Sequence, residues 1–166
     1  YVDKAREQGA KILTGGRAAT SEDTNGQHGT GNTDLGAGVY YLPTIIDGAT
    51  REMDCVHDEA FGPTVTIETF TTEEEAIAIA NDTEYGLAGA VYTSDAGRAE
   101  RVARALRHGT IWINDFHPYL PQAEWGGFKQ SGNGRELGPT GLAEYQEHKH
   151  VYQNLSPAAW EQFGLQ

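Results

Sequence analysis

Two side chains with distinct chemistry stand two positions apart in Asp58–Pro63, just before a predicted strand. Glu59 is acidic, Phe61 is aromatic, and Gly62-Pro63 follows directly as a typical turn. A carboxylate held by such a turn can accept two hydrogen bonds from a vicinal diol, and the aromatic ring can flank a flat ring of a ligand. The spacing alone fits a purely structural turn equally well.

A second stretch follows a short apolar strand that we predict over 110–114. Residues 115–138 are rich in aromatic side chains and glycine, and they include His117, Tyr119 and Trp125. In α/β folds, ligands bind in loops that follow the carboxyl end of a strand. The sequence therefore predicts a ligand-side loop here, although the spacing does not name the ligand.

Other familiar site patterns do not fit. Gly126–Gly132 contains the residues of a phosphate-binding loop in the wrong order, and Gly132–Gly134 lacks the third glycine of a dinucleotide fingerprint because Leu137 stands there. Cys55 is the single cysteine and has no obvious base partner, so we interpret it as a structural or incidental thiol rather than a nucleophile. A single cysteine also excludes an intrachain disulfide and a zinc site built from several cysteines.

Length and composition set further limits. The chain has 166 residues, enough for one domain, and carries 24 acidic residues against 12 lysines and arginines. The net charge of −12 argues against a nucleic-acid partner, which needs a basic face. No apolar run approaches the roughly 18 residues of a membrane span and no signal peptide is evident, so we expect a cytoplasmic protein without a membrane partner. The chain starts at Tyr1, inside a predicted helix, and we therefore expect it to be a piece of a longer polypeptide.

Strands and helices alternate along the chain, which predicts an α/β fold with a parallel-type sheet and crossover helices. Strands are predicted over 11–14, 39–46, 64–70, 87–93 and 110–114, with Pro43 marking an edge or an interruption. One helix is expected to end at Gly9, another to run from Thr71 or Thr72 to about 81, and a third to start at Ser94 or Asp95. Residues 17–38 are predicted to be a mobile loop.

Several of these stretches together resemble the C-terminal part of the NAD(P)-dependent aldehyde dehydrogenases. Asp58–Pro63 is similar to the family's Glu-Glu-Ile-Phe-Gly-Pro segment, with departures at its first and third positions. Asn81–Gly89 is similar to the family's Asn-x-x-x-Tyr-Gly-Leu passage, and Gly126–Gly138 to its Gly-Gly-x-Lys-x-Ser-Gly-x-Gly-Arg-Glu-x-Gly run. The similarity covers about residues 1–155 in the family's order. Within the family, His117–Gly127 looks most like the betaine aldehyde and aminoaldehyde enzymes.

The resemblance implies the family's chemistry, in which a cysteine thiolate attacks the aldehyde, hydride passes to a nicotinamide and a glutamate activates water. It implies that Glu59 holds the ribose hydroxyls of NAD or NADP and that Phe61 packs beside the nicotinamide. It also implies that Trp125, Tyr119 and His117 line the aldehyde site, where an indole attracts a quaternary ammonium group. Plain packing is the alternative for Trp125 and His117. The backbone carbonyls around Lys129 and Gly132 resemble a monovalent-cation site of some betaine enzymes.

The same resemblance implies a domain layout. Residues 1–138 correspond to the C-terminal portion of the catalytic domain, 139–155 to an oligomerisation strand that joins subunits of a homodimer or tetramer, and 156–166 to a tail. The family's cofactor domain, nucleophilic cysteine and base are expected to precede this chain, so we assign it no catalytic residue and expect it to be inactive alone. The parent's expected substrate is betaine aldehyde, oxidised to glycine betaine. An aminoaldehyde such as 4-aminobutanal, another aldehyde, and a non-catalytic interaction module remain alternatives.

Overall fold

A computed structural model describes residues 1–23 and 34–155 as a mixed α/β structure of short elements. The helices are α1 (Val2–Glu7), α2 (Asp54–His57), α3 (Glu73–Asn81), α4 (Ala96–Ala105) and α5 (Gly138–Ala143), with a 3-10 helix at Leu35–Ala37. The strands are β1 (Lys11–Thr14), β2 (Thr44–Asp47), β3 (Thr64–Ile67), β4 (Tyr85–Gly86), β5 (Ala88–Val91), β6 (Thr110–Ile113) and β7 (Phe128–Lys129). This confirms the predicted α/β class. No described helix has the length and apolar character needed to cross a membrane.

The described strands pair in three groups. β2 is the central strand of a three-stranded sheet, antiparallel to β1 and parallel to β3. β5 and β6 pair in parallel, and α4 supplies the crossover between them. β4 and β7 form a short antiparallel pair. The predicted parallel arrangement with crossover helices is therefore present in the β2–β3 and β5–β6 pairs, and antiparallel pairs are added to it.

Helix α1 ends as its sequence predicts. Gly9 has a φ of 102°, and its N–H donates to the carbonyl of Arg6 (3.1 Å), while the N–H of Ala10 donates to the carbonyl of Ala5 (2.9 Å). This Schellman motif favours glycine because the left-handed conformation suits a residue without Cβ. The turn brings α1 onto the three-stranded sheet, where a core cluster is buried: Val2, Ala5, Ala10, Ile46 and Met53.

Side-chain caps start the two longer helices. The Thr72 hydroxyl accepts a hydrogen bond from the N–H of Glu75 (3.1 Å), and the Asp95 carboxylate accepts one from the N–H of Arg98 (3.0 Å). Such acceptors satisfy N–H groups that have no partner within the helix. The structure thus selects Thr72 and Asp95 from the two pairs of caps that the sequence allowed.

Several predicted boundaries differ from those of the structure. The strand predicted over 39–46 is β2 alone, because Pro43 interrupts the pairing and Tyr41 adds only one bridge, to Ala18. The strand predicted over 87–93 is the shorter β5, and β4 lies just before the predicted range. Within the predicted mobile loop, residues 24–33 lie outside the described residues, whereas 35–37 form the 3-10 helix that Asp34 caps.

The C-terminal region begins with α5 and continues without regular structure. Residues 146–155 are neither helix nor strand, so the predicted oligomerisation strand is not formed within the described chain. A strand needs a partner strand to satisfy its backbone groups. The oligomerisation role of 139–155 therefore stays a prediction, and the predicted tail at 156–166 lies outside the described residues.

Candidate functional site

Glu59 and Phe61 lie together at an open cleft of about 490 Å³. They are carried by the segment between α2 and β3. Phe61 is 95% exposed and Glu59 is also exposed. The rest of the cleft comes largely from the β4–β5 region, the approach to β6 and the turn after β7, and includes Tyr85, Leu87, His108, Gln130 and Ser131. The structure thus places both predicted cofactor-binding side chains on one accessible surface.

The carboxylate of Glu59 is available to a ligand. Within the described part of the chain it makes no hydrogen bond or ion pair, whereas the neighbouring Asp58 accepts a hydrogen bond from the Tyr1 hydroxyl (3.2 Å). A free carboxylate at the edge of a cleft can accept hydrogen bonds from two adjacent hydroxyl groups. The geometry is compatible with the predicted role of Glu59.

His108 adds a polar group to the same cleft. Its Nδ1 atom is buried and has no hydrogen-bond partner among the described residues. Burial, assisted by the positive charge of Lys129, lowers the pKa of His108 below its usual 6.5, so the imidazole is neutral at pH 7. The sequence analysis gave His108 no role at a site, because its position beside the cleft depends on the packing of α4 against β6.

The three side chains predicted to line the aldehyde site form one aromatic cluster. Tyr119 packs edge-on against Trp125 with ring centroids 4.6 Å apart, and His117 lies 4.9 Å from Tyr119. The Nε2 atom of His117 and the hydroxyl of Tyr119 are 2.7 Å apart and share a hydrogen bond. Edge-on and tilted arrangements are favourable for aromatic pairs. The structure therefore brings all three residues together.

Trp112 connects this cluster to β6. Its buried ring stacks on Trp125 with centroids 5.9 Å apart and meets Phe116 and His117 edge-on at 5.6 and 5.7 Å. Its indole N–H donates to the carbonyl of Pro118 (3.3 Å). Sequence reasoning placed Trp112 in a strand and gave it no role at the site. A tryptophan in the strand that leads into the ligand-side loop was the sequence feature that could have indicated a role for Trp112 at the site.

Backbone geometry and side-chain bonds hold the ends of the loop. Asn114 (φ 53°) and His117 (φ 73°) adopt the left-handed conformation that is uncommon outside glycine. The side chain of Asn114 accepts from the N–H of Thr93 (2.8 Å) and donates to its carbonyl (2.9 Å). At the other end, Trp125 and Glu136 exchange two backbone hydrogen bonds of 2.7 Å. The aromatic cluster is thus carried between two fixed points.

Lys129 has structural partners. Its ammonium group donates to the carbonyls of Asn81 and Thr83, both at 2.9 Å, just where α3 ends. A positive charge there complements the negative end of the helix dipole. Within residues 1–23 and 34–155, no group of three or more His, Cys, Asp or Glu side chains could hold a metal. The backbone carbonyls of Lys129 and Gly132 remain a predicted site for a monovalent cation.

Cys55 has the surroundings of a packing residue. It lies in α2 against the core cluster, and burial raises the pKa of its thiol. A raised pKa leaves little thiolate at neutral pH, and the thiolate is the nucleophile. Its surroundings support the interpretation of Cys55 as a structural thiol.

Known proteins share these sequence features along almost the whole chain. Residues 1–151 match the model of the aldehyde dehydrogenase family. The chain is 54% identical to a betaine aldehyde dehydrogenase of Bacillus subtilis, over 96% of this chain and 30% of that protein. It is 44% identical to a peroxisomal aminoaldehyde dehydrogenase 2 of Pisum sativum, over 96% of this chain and 29% of that protein. The chain therefore spans about 30% of the length of the relatives that it matches.

The fold is shared as well. A structure of betaine aldehyde dehydrogenase from Staphylococcus aureus in complex with NAD+ is similar with a TM-score of 0.87 and 48% identity, over 98% of this chain and 30% of that one. Further structures of the same enzyme carry substitutions in a histidine, a proline and a tyrosine at consecutive positions, and this chain has the same run at His117-Pro118-Tyr119. Motifs, fold and relatives agree, and this chain belongs to the aldehyde dehydrogenase family.

Proposed function

We propose that this chain is the C-terminal part of an NAD-dependent aldehyde dehydrogenase that oxidises betaine aldehyde to glycine betaine. The observation that carries the proposal is the aromatic cluster of His117, Tyr119 and Trp125 in the loop after β6. Aromatic faces attract quaternary ammonium groups by about 0.5–2 kcal/mol, depending on desolvation. The net charge of −12 also favours a cationic substrate over an anionic one. The names of the Bacillus subtilis and Staphylococcus aureus relatives support the same substrate.

In this proposal, Glu59 and Phe61 orient the cofactor. The free carboxylate of Glu59 accepts hydrogen bonds from the ribose diol, and the exposed ring of Phe61 flanks the nicotinamide. The cofactor supplies the hydride acceptor, and these side chains supply its orientation. NAD+ in the Staphylococcus aureus relative supports NAD as the cofactor.

The proposal includes an inactive isolated chain. The nucleophilic thiolate and the base belong to the part of the family polypeptide that this chain does not contain, and the raised pKa of Cys55 makes it a poor substitute. We expect no aldehyde oxidation by the 166-residue chain and full activity from the complete protein. A monovalent cation at the carbonyls of Lys129 and Gly132 and a cytoplasmic location complete the proposal.

Steady-state kinetics of the complete protein test the substrate. We expect kcat/KM with NAD to fall from betaine aldehyde to 4-aminobutanal and then to propanal. The Trp125→Leu variant should lose about 2- to 30-fold in kcat/KM for betaine aldehyde, the equivalent of 0.5–2 kcal/mol, and change little with propanal. Tyr92→Leu is the matched control, because it also removes an exposed aromatic ring but lies outside the cluster. Equal kcat/KM values for the three aldehydes would contradict a cationic substrate.

An aminoaldehyde is the second candidate. It is favoured by the Pisum sativum relative, which is named for that substrate class. A primary ammonium group is also attracted to aromatic faces, but it keeps three N–H donors that need acceptors. A higher kcat/KM for 4-aminobutanal than for betaine aldehyde would select this candidate. If the complete protein oxidises none of these aldehydes, the non-catalytic interaction module is the hypothesis that remains.

We further propose that residues 139–155 form a contact between subunits. Support comes from a set of large apolar side chains that are all exposed: Leu142, Tyr145, Val151, Tyr152 and Leu155. Exposed apolar patches of this kind commonly mark interaction sites. Sedimentation of the complete protein should show a dimer or tetramer. The substitution Tyr152→Asp should dissociate this oligomer, whereas the control substitution Tyr92→Asp should not. A wild-type protein that stays monomeric at high concentration would contradict this contact.

A further inference from the structure

Trp112 occupies an unusual place in the described chain. It is the one aromatic side chain among the buried hydrophobic residues of the described ranges. Its backbone is paired with Ala90 in the parallel β5–β6 sheet, so its position is set by the strand. From there its ring contacts Phe116, His117 and Trp125. A buried, strand-held ring is therefore in contact with both ends of the aromatic cluster.

The segment 115–119 has few other attachments. Its internal hydrogen bonds are those of Phe116 to Asp115 (2.7 Å) and between His117 and Tyr119. The indole N–H of Trp112 to the carbonyl of Pro118 is the one hydrogen bond that reaches this segment from the rest of the described chain. Phe116 is 67% exposed and Tyr119 is 50% exposed, so burial adds little restraint. Between the two fixed ends of the loop, the segment is therefore held mainly by Trp112 and by the contact of Tyr119 with Trp125.

We propose that Trp112 is a positioning residue for the substrate site. It holds His117, Tyr119 and Trp125 together as one wall for a cationic group. It acts by stacking on Trp125 and by donating its N–H to Pro118. This inference rests on the proposed function, because the wall is the cation-binding surface of that function. Trp112 itself is buried and is not expected to touch the substrate. Its contribution is the preorganisation of rings that would otherwise be ordered when the ligand binds.

The substitution Trp112→Phe separates positioning from filling of the core. It keeps a buried aromatic ring but removes the N–H donor and part of the stacking surface. If Trp112 positions the wall, we expect the dissociation constant for tetramethylammonium to rise about 5-fold, because the rings are no longer preorganised. Ile111→Ala is the matched control: Ile111 is a partly buried neighbour in β6 whose side chain points to the opposite sheet face.

Fluorine NMR of the 166-residue chain provides the readout. The chain is labelled with 5-fluorotryptophan in a Trp160→Phe background, so that only Trp112 and Trp125 give signals. Tetramethylammonium chloride is titrated against sodium chloride at equal ionic strength, well below the unfolding temperature of each variant. The Trp125 signal reports the dissociation constant through its shift, and its linewidth reports how firmly the ring is held.

We expect the Trp125 signal to narrow and to approach that of the free amino acid in Trp112→Phe, with weaker cation binding. The Ile111→Ala chain should keep the wild-type linewidth and dissociation constant, even where its stability falls. An unchanged linewidth and dissociation constant in Trp112→Phe would overturn the positioning role. If tetramethylammonium does not shift the signal of the unsubstituted chain, the three rings alone do not bind a quaternary ammonium group, and the linewidths still decide whether Trp112 positions them.

Discussion

Asn114 provides a quantitative test of how the aromatic loop is attached to the sheet. Its side chain makes two hydrogen bonds to the backbone of Thr93, at 2.8 and 2.9 Å, and its own backbone has a φ of 53°. Its N–H donates to the carbonyl of Val91 (2.8 Å), a bond that a substitution of the side chain leaves available. The residue thus combines a side-chain clamp with a left-handed backbone.

The two effects can be separated by two substitutions. A hydrogen bond contributes about 0.5–1.5 kcal/mol, and we take the lower value for each of the two because Asn114 is exposed. Asn114→Gly should therefore lower the free energy of unfolding by about 1 kcal/mol, since glycine tolerates the left-handed conformation. Asn114→Ala loses the same bonds and adds about 1 kcal/mol of backbone strain, which gives about 2 kcal/mol in total.

Urea unfolding of the 166-residue chain, followed by circular dichroism, measures these differences. Asn133→Ala is the matched control, because Asn133 is exposed, has no left-handed backbone and makes no side-chain hydrogen bond with a described residue. An alanine variant as stable as the glycine variant would refute the argument from strain. If both variants match wild type, the clamp to Thr93 contributes nothing to stability.

Three further predictions concern titratable groups. Burial lowers the pKa of His108, so its imidazole protons should titrate below pH 6.5 in an NMR titration, and a midpoint at or above that value would contradict the buried position. Burial raises the pKa of Cys55, so iodoacetamide should modify the folded chain more slowly than the urea-unfolded chain; equal rates would count against its packing on the core. Arg101, with help from Arg98, lowers the pKa of Glu73 below its usual 4.5. The ion pair therefore stabilises the folded state above about pH 4.5, and this stabilisation is lost as the pH falls through the lowered pKa. The stability difference between wild type and Glu73→Gln should therefore shrink from pH 7 to pH 3 in urea unfolding, and a difference independent of pH would refute the pairing.

Some features could be predicted because neighbouring residues determine them. Gly9 ends α1, and Thr72 caps α3, through hydrogen bonds that span at most five positions in the chain. Glu59 and Phe61 lie together at the cleft because they are two positions apart in one short segment. Motif similarity over most of the chain also identified the family, which the comparisons confirm.

Other features could not be predicted because the local sequence was compatible with more than one structure. Pro43 was compatible with an edge or an interruption, and the pairing of β2 on both sides decided for an interruption. Residues 139–155 were predicted as an oligomerisation strand, but the first of them belong to α5 and 146–155 are irregular. A strand there depends on a partner that the sequence does not describe.

The sequence by itself determined the family, the points where α1 ends and where α3 and α4 begin to within one residue, and the side chains that form the candidate site. Only the tertiary structure decided that Trp112 contacts the aromatic cluster, that His108 lines the cleft, and that the Lys129 ammonium group binds the carbonyls at the end of α3. The physical reason is the range of the interactions. Caps and turns depend on residues a few positions apart, whereas Lys129 and its partners Asn81 and Thr83 are 48 and 46 positions apart and meet only when β7 pairs with β4.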